Sequence, residues 1–145
     1  MSRSYPGDPV CAVGAIIFRG NSVLLVQRGR PPAQGQWSIP GGLVRLGEAL
    51  EAAVQRELHE ETGLEVRPVE VGKVVDRIFR DRNGRVTYHY VIVDFICEAV
   101  NGEPEAGSDA VAARYVELSQ LTQLDITEGT SDVIQEVYAR WTRQV

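Results

Sequence analysis

One block of good helix formers, Glu48 to Thr62, stands in the middle of the chain with Gly47 before it and Gly63 after it, and strand-like runs lie on both sides. Its composition predicts a helix, and Gly63 occupies the place of a left-handed C-terminal cap. Upstream, Val10 to Phe18 is almost wholly apolar, Arg19-Gly20-Asn21-Ser22 has turn chemistry, and Val23-Leu24-Leu25-Val26 is apolar again. That pattern predicts two buried strands joined by a tight turn. Downstream, Val66 to Ile78 and Arg85 to Glu98 are strand-like around Asp81-Arg82-Asn83-Gly84, a hairpin signal. After a polar loop from Asn101 to Asp109, Val111 to Val116 reads as a further strand. Ser131 to Arg143 carries Val133, Val137, Tyr138 and Trp141 at the spacing of an amphipathic helix. Neither a βαβ alternation nor an internal repeat is present. The order therefore predicts an α/β fold, a mixed β-sheet sandwiched between α-helices, with residues 1–145 as a single domain.

Composition narrows the function. No apolar run is long enough to span a membrane, and the first residues lack the apolar middle of a secretory signal, so the expected compartment is the cytoplasm. Cys11 and Cys97 sit in apolar runs without Cys-x-x-Cys spacing and read as small buried hydrophobes. A formal net charge of −5 disfavours long nucleic acid as a partner, since such binding neutralises phosphates with a basic surface. A small phosphorylated ligand needs only a few local cations and a bound metal.

The chemistry concentrates in Arg56-Glu57-Leu58-His59-Glu60-Glu61. With Glu57 at zero on a wheel advancing about 100° per residue, Glu61 lies about 40° to one side and Glu60 about 60° to the other. Leu50, Val54 and Leu58 fall at about 20°, 60° and 100°. Glu57 and Glu61 thus share the side of the apolar stripe, while Ala52, Gln55, Arg56 and His59 occupy the outward side. Carboxylates held at the edge of a core repel one another unless a cation sits among them, and Mg²⁺ suits such oxygens. An ordinary surface pair between Arg56 and Glu60 is the structural alternative.

The wider pattern is Gly42-x5-Glu48-x7-Arg56-Glu57-Leu58-x-Glu60-Glu61-x-Gly63-Leu64, preceded by Gly35-x-Trp37-x-x-Pro40-Gly41-Gly42. It resembles the Nudix box position for position, and the resemblance covers most of the chain. The resemblance implies the Nudix fold and Mg²⁺-dependent hydrolysis of a phosphoanhydride in a small nucleotide, with Mn²⁺ as a possible substitute. By matching position, Glu57 and Glu61 would be the main metal ligands, Glu60 a further ligand or partner, and the Gly41 carbonyl another oxygen donor. Arg56 would orient the carboxylates and Glu48 would pair with Arg56 and fix the helix start. Glycine at 41 and 42 also allows backbone to approach a metal or phosphate closely. The general base stays open among Glu57, Glu60, Glu105 and Asp109.

For substrate, Arg28 resembles a phosphate-contacting position, and its guanidinium suits phosphate. Trp37 either stacks on a base or anchors its loop. Tyr88-His89-Tyr90 offers aromatic surface to a base or ribose, or packs across strands. The chain looks most like members described as ADP-ribose pyrophosphatases, which suggests cleavage of a nucleoside diphosphate linked to another group, and a homodimer. Phe79-Arg80 stands where many of those members carry a proline, and the Pro-Trp-Pro run of NADH-type members is absent. Asn101, before Gly102-Glu103-Pro104, replaces a metal-binding glutamate of the triphosphate-sanitising branch. Triphosphate cleavage and a non-catalytic nucleotide sensor are the alternatives.

Overall fold

Strand β1 (Val10–Ile16) organises the molecule, because its two faces feed two different cores. In the computed structural model, which describes residues 4–100 and 102–142, β1 runs parallel to β7 (Val86–Ala99) and antiparallel to β5 (Gly41–Leu43). The β6 strand (Val66–Arg80) pairs antiparallel with β7 and completes a mixed sheet in the order β5-β1-β7-β6. A second sheet holds β2 (Phe18–Arg19), β3 (Ser22–Arg28) and β4 (Trp37–Ser38), with β8 (Ala110–Glu117) paired to β3. Helix α1 (Leu50–Thr62), a 3-10 turn (Leu118–Gln123) and helix α2 (Thr130–Thr142) complete the described chain. The α/β architecture with a mixed sheet is as expected.

Alternation along β1 explains the layering, since successive side chains of a strand point to opposite faces. Val13 and Ala15 meet Ala53, Val54 and Leu58 of α1, with Phe95 and Leu24, in one buried cluster. Ile16 packs on the other side with Ile96, Leu121, Ile134 and Val137, so α2 covers the second cluster. Burying Leu58 alone stabilises by about 2 kcal/mol before entropy is counted.

The apolar run Val10 to Phe18 does not stay in one sheet. It leaves the first sheet after Ile16 and enters the second at Phe18, whose partner across the turn is Val23. The Gly- and Pro-rich segment between β3 and α1 contains two short strands, β4 and β5. These pair with β3 and β1, contacts too distant in sequence for local pattern to reveal. Helix α1 starts at Leu50 rather than Glu48, with Ala49 extended before it. Glu48 instead closes a turn in which its amide donates to the Arg45 carbonyl and its carboxylate accepts from the Arg45 amide. Gly63 caps the helix as expected, left-handed at φ 73° with its amide on the His59 carbonyl. The hairpin turn also forms, held by Asp81, whose Oδ1 accepts the amides of Asn83 and Arg85. Cys97 is buried but Cys11 is exposed, because it lies where β1 begins, before the covered stretch that starts at Ala12. Arg143, expected as the last residue of the terminal helix, and Asn101 lie outside the described residues.

Candidate active site

The carboxylates of α1 meet the glycines of β5. Glu61 accepts the Gly41 amide at 2.8 Å. Gly42 lies so close to Glu57 that a Cβ there would overlap its carboxyl group, with Oε1 2.6 Å away. Arg56 ties the region together: Nε and Nη2 grip the two oxygens of Glu48 at 2.7 and 2.9 Å. The same guanidinium donates to the Leu43 carbonyl at 3.0 Å, to Glu57 at 2.8 Å and to Glu60 at 3.3 Å. Its side chain is only 18% exposed, so the helical wheel's outward placement of Arg56 does not hold. A long side chain at the edge of that face can fold back over the helix, and Glu48 together with the Leu43 carbonyl draws it inward. Ala52, Gln55 and His59 are exposed as expected.

Charge follows from these contacts. The Arg56 side chain and the Arg45 amide hold Glu48 down to about 2. Hydrogen bonding to Glu48 pushes Arg56 upward in turn. Burial pushes Glu61 up to about 7, against the Gly41 amide, and the neighbouring Glu57 adds to the rise. A carboxylate kept there in low dielectric beside another is short of positive charge, which suits an incoming hard cation. Among the described residues no group of three His, Cys, Asp or Glu side chains is already placed to hold a metal ion. Mg²⁺ does not require one, because it completes its shell with water and phosphate oxygens.

These groups open into a cleft of about 1260 Å³ lined by Arg28, Gly41, Gly42, Arg56, Glu57, Glu60 and Glu61. Arg28 is fixed by its Nε donating to the Pro32 carbonyl at 2.8 Å, and its charge favours ionised Glu61. Of the two loop candidates for a base, Asp109 lines the cleft and pairs with Arg30 at 3.0 Å. Glu105 does not line it; its amide donates to the Thr62 carbonyl and so helps cap α1. Trp37 is likewise absent from the lining. Its ring packs against the second core with the Arg114 guanidinium above it at 4.9 Å, the placement of a loop anchor. Tyr88 and Tyr90 do face the cleft, stacked at 6.1 Å, with Phe79 edge-on to Tyr88 at 6.0 Å. His89 points the other way, as alternation requires.

Asp94 and Arg77 are among the cleft residues that the sequence reading did not single out. Asp94 lines the inner wall, and Arg77 faces the same space from β6. The signal for Asp94 was available: it is the acidic residue inside the apolar run Val91 to Cys97 and shares the parity of Tyr88 and Tyr90.

A domain model described as NUDIX domain matches residues 8–137. The chain belongs to the Nudix family. This Nudix hydrolase is 36% identical over 133 residues to an ADP-ribose pyrophosphatase of Methanocaldococcus jannaschii, covering 92% of this chain and 75% of that protein. It is 41% identical over 121 residues to a putative 8-oxo-dGTP diphosphatase 2 of Mycobacterium tuberculosis, covering 81% of this chain and 79% of the relative. Among solved structures, a MutT NUDIX hydrolase from Burkholderia pseudomallei superposes with a TM-score of 0.78 at 33% identity, covering 90% of this chain and 98% of that one. Membership brings pyrophosphohydrolase chemistry and the family's general use of a divalent metal. Among the described residues no helix is long and apolar enough to cross a membrane.

Proposed function

We propose that this Nudix hydrolase cleaves the phosphoanhydride of a nucleoside diphosphate linked to another moiety, ADP-ribose or a related nucleotide sugar, with Mg²⁺ as cofactor. The observation that carries the reading is Glu61 and Glu57 docked on Gly41 and Gly42, with Glu60 joined to them through Arg56, in a cleft that Tyr88 and Tyr90 also line. Bound there, Mg²⁺ would polarise the anhydride and lower the pKa of the attacking water.

The chain's own residues account for the rest. Arg56 fixes Glu57 and Glu60 in place while Glu48 neutralises it from behind. Glu57 and Glu61, with the Gly41 carbonyl and Glu60, would hold the ion. Arg28 stands at the cleft to take a phosphate oxygen. Glu60 or Asp109 would take the proton of the water as it attacks one phosphorus, and the anhydride oxygen leaves on the other. Tyr88 and Tyr90 present ring faces to the base or ribose. Residues 1–145 would act as one domain, as a homodimer, in the cytoplasm.

A second reading, triphosphate cleavage, draws support from the similarity to the M. tuberculosis protein. Products separate the two. Purified protein with Mg²⁺ should convert ADP-ribose to AMP and ribose 5-phosphate. A nucleoside monophosphate and pyrophosphate from triphosphates, with ADP-ribose left intact, would overturn the proposal in favour of the second reading.

A further inference from the structure

Asp94 sits deep in the cleft and plays no part in the chemistry above. It is 4% exposed, and its Oδ1 is buried without a hydrogen-bond partner among the described residues. A buried carboxyl oxygen left unpaired is costly, so its retention calls for a partner that arrives with the ligand. Burial pushes its carboxyl up to about 7, opposed by the charge of Arg77.

Asp94 lines the cleft beside Gly14, which leaves space for its carboxyl oxygen. Gly14 faces it across the β1–β7 pairing. Any side chain there would overlap Asp94 Oδ1 and stand 3.0 Å from Ile39 Cδ1. On the opposite wall Gly129, left-handed at φ 80°, leaves room for Arg77, whose Nη2 would lie 3.0 Å from a Cβ at that position.

Position then limits what the partner is. Gly41, Gly14 and Asp94 form one register row across β5, β1 and β7. Two strand spacings, roughly 10 Å, therefore separate the Glu61-bound glycine from Asp94. That is the reach from a diphosphate through its ribose to a base. Along β7, Tyr90, Ile92 and Asp94 share the cleft face, each step about 7 Å. A base laid on Ile92 would have the Tyr90 ring at one edge and the Asp94 carboxyl at the other. Beside one buried carboxyl and one guanidinium, a neutral hydrogen-bond donor suits the space better than a phosphate or a metal ion.

We propose that Asp94 is a specificity-determining residue that accepts a hydrogen bond from the exocyclic amino group of the substrate's base. The idea shares the cleft with the proposed function but needs only the nucleoside end of the ligand, so the two can fail separately. Asn can keep this contact through its carbonyl oxygen; Ala cannot.

The test is calorimetric binding of matched nucleotides to wild type, Asp94→Asn and Asp94→Ala. One pair is AMP against purine riboside 5′-monophosphate; the other is GMP against inosine monophosphate. Each pair differs only by one amino group. Wild type should prefer the amino-bearing member of at least one pair by about tenfold or more. Asp94→Asn should keep much of that preference and Asp94→Ala should bring it near unity, with thermal melts confirming that both variants fold. Equal binding within both pairs by wild type, no binding of any member, or an undiminished preference in Asp94→Ala would each overturn the proposal. Failure to hydrolyse ADP-ribose, with the amino preference intact, would count against the proposed function and not against Asp94.

Discussion

Gly41 and Gly42 are neighbours whose replacement by alanine should damage the protein in different ways. At Gly42 the added methyl would meet the Glu57 carboxyl, with Oε1 2.6 Å away. Ordinary carbon contacts begin near 3.5 Å, so the carboxylate must retreat by about 1 Å. It is the far end of a flexible side chain, so the fold gives way cheaply and stability should change by no more than about 1 kcal/mol. Catalysis should not be spared, because a displacement of about 1 Å in a catalytic array costs on the order of a hundredfold. At Gly41 the methyl would overlap the Val13 carbonyl and lie 2.8 Å from Gly14 Cα. Backbone cannot swing aside, so β5 must lift from β1, loosening the bonds from Ala15 to Pro40 and from Val44 to Cys11. Overpacking plus disturbed ladder bonds should cost about 3 kcal/mol, roughly a 10 °C fall in Tm. The assay is a thermal melt beside kcat/KM for each variant. Wild-type turnover in Gly42→Ala, or a larger loss of Tm in Gly42→Ala than in Gly41→Ala, would refute the reasoning.

Three further outcomes follow from the same geometry. Arg56→Lys should lower kcat by about a hundredfold while the chain stays folded, since an ammonium cannot grip both Glu48 oxygens and still reach Glu57 and Leu43; near-normal kcat would contradict it. For pH, Asp94 binds a proton more tightly folded than unfolded, with a folded pKa about 7 against 3.8. Its contribution is therefore neutral below about pH 4 and increasingly destabilising up to about pH 7. Melting temperatures of Asp94→Asn and wild type should then diverge in favour of the variant across that window, and parallel curves would contradict the assignment. Glu105→Gln should leave kcat within about twofold, because that side chain is exposed and outside the cleft, whereas a hundredfold loss would make it the base.

Local pattern made the helices, the long hairpin and the carboxylate row legible in the sequence. Gly63 and Asn83-Gly84 act within a few residues of themselves, and the period of Leu50, Val54 and Leu58 is set by one helix. The rest depends on partners far along the chain. Nothing near Gly41 announces that β1 lies beside it, and nothing near Trp37 says that Arg114 covers its ring. Arg56 was misplaced by the wheel because a wheel fixes Cβ directions, not where a long side chain finds acceptors. Asp94 went unread although its polarity within β7 marked it, since only the folded chain brings it beside Gly14 and into the cleft wall.

The most direct test of the carboxylate row is ADP-ribose hydrolysis followed across a Mg²⁺ titration for wild type and Glu61→Gln. Wild type should give AMP and ribose 5-phosphate only when Mg²⁺ is present, and the variant should be slower by at least about a hundredfold even at saturating Mg²⁺. Equal rates for the two proteins at saturating Mg²⁺, or undiminished wild-type turnover after the metal is chelated, would contradict it.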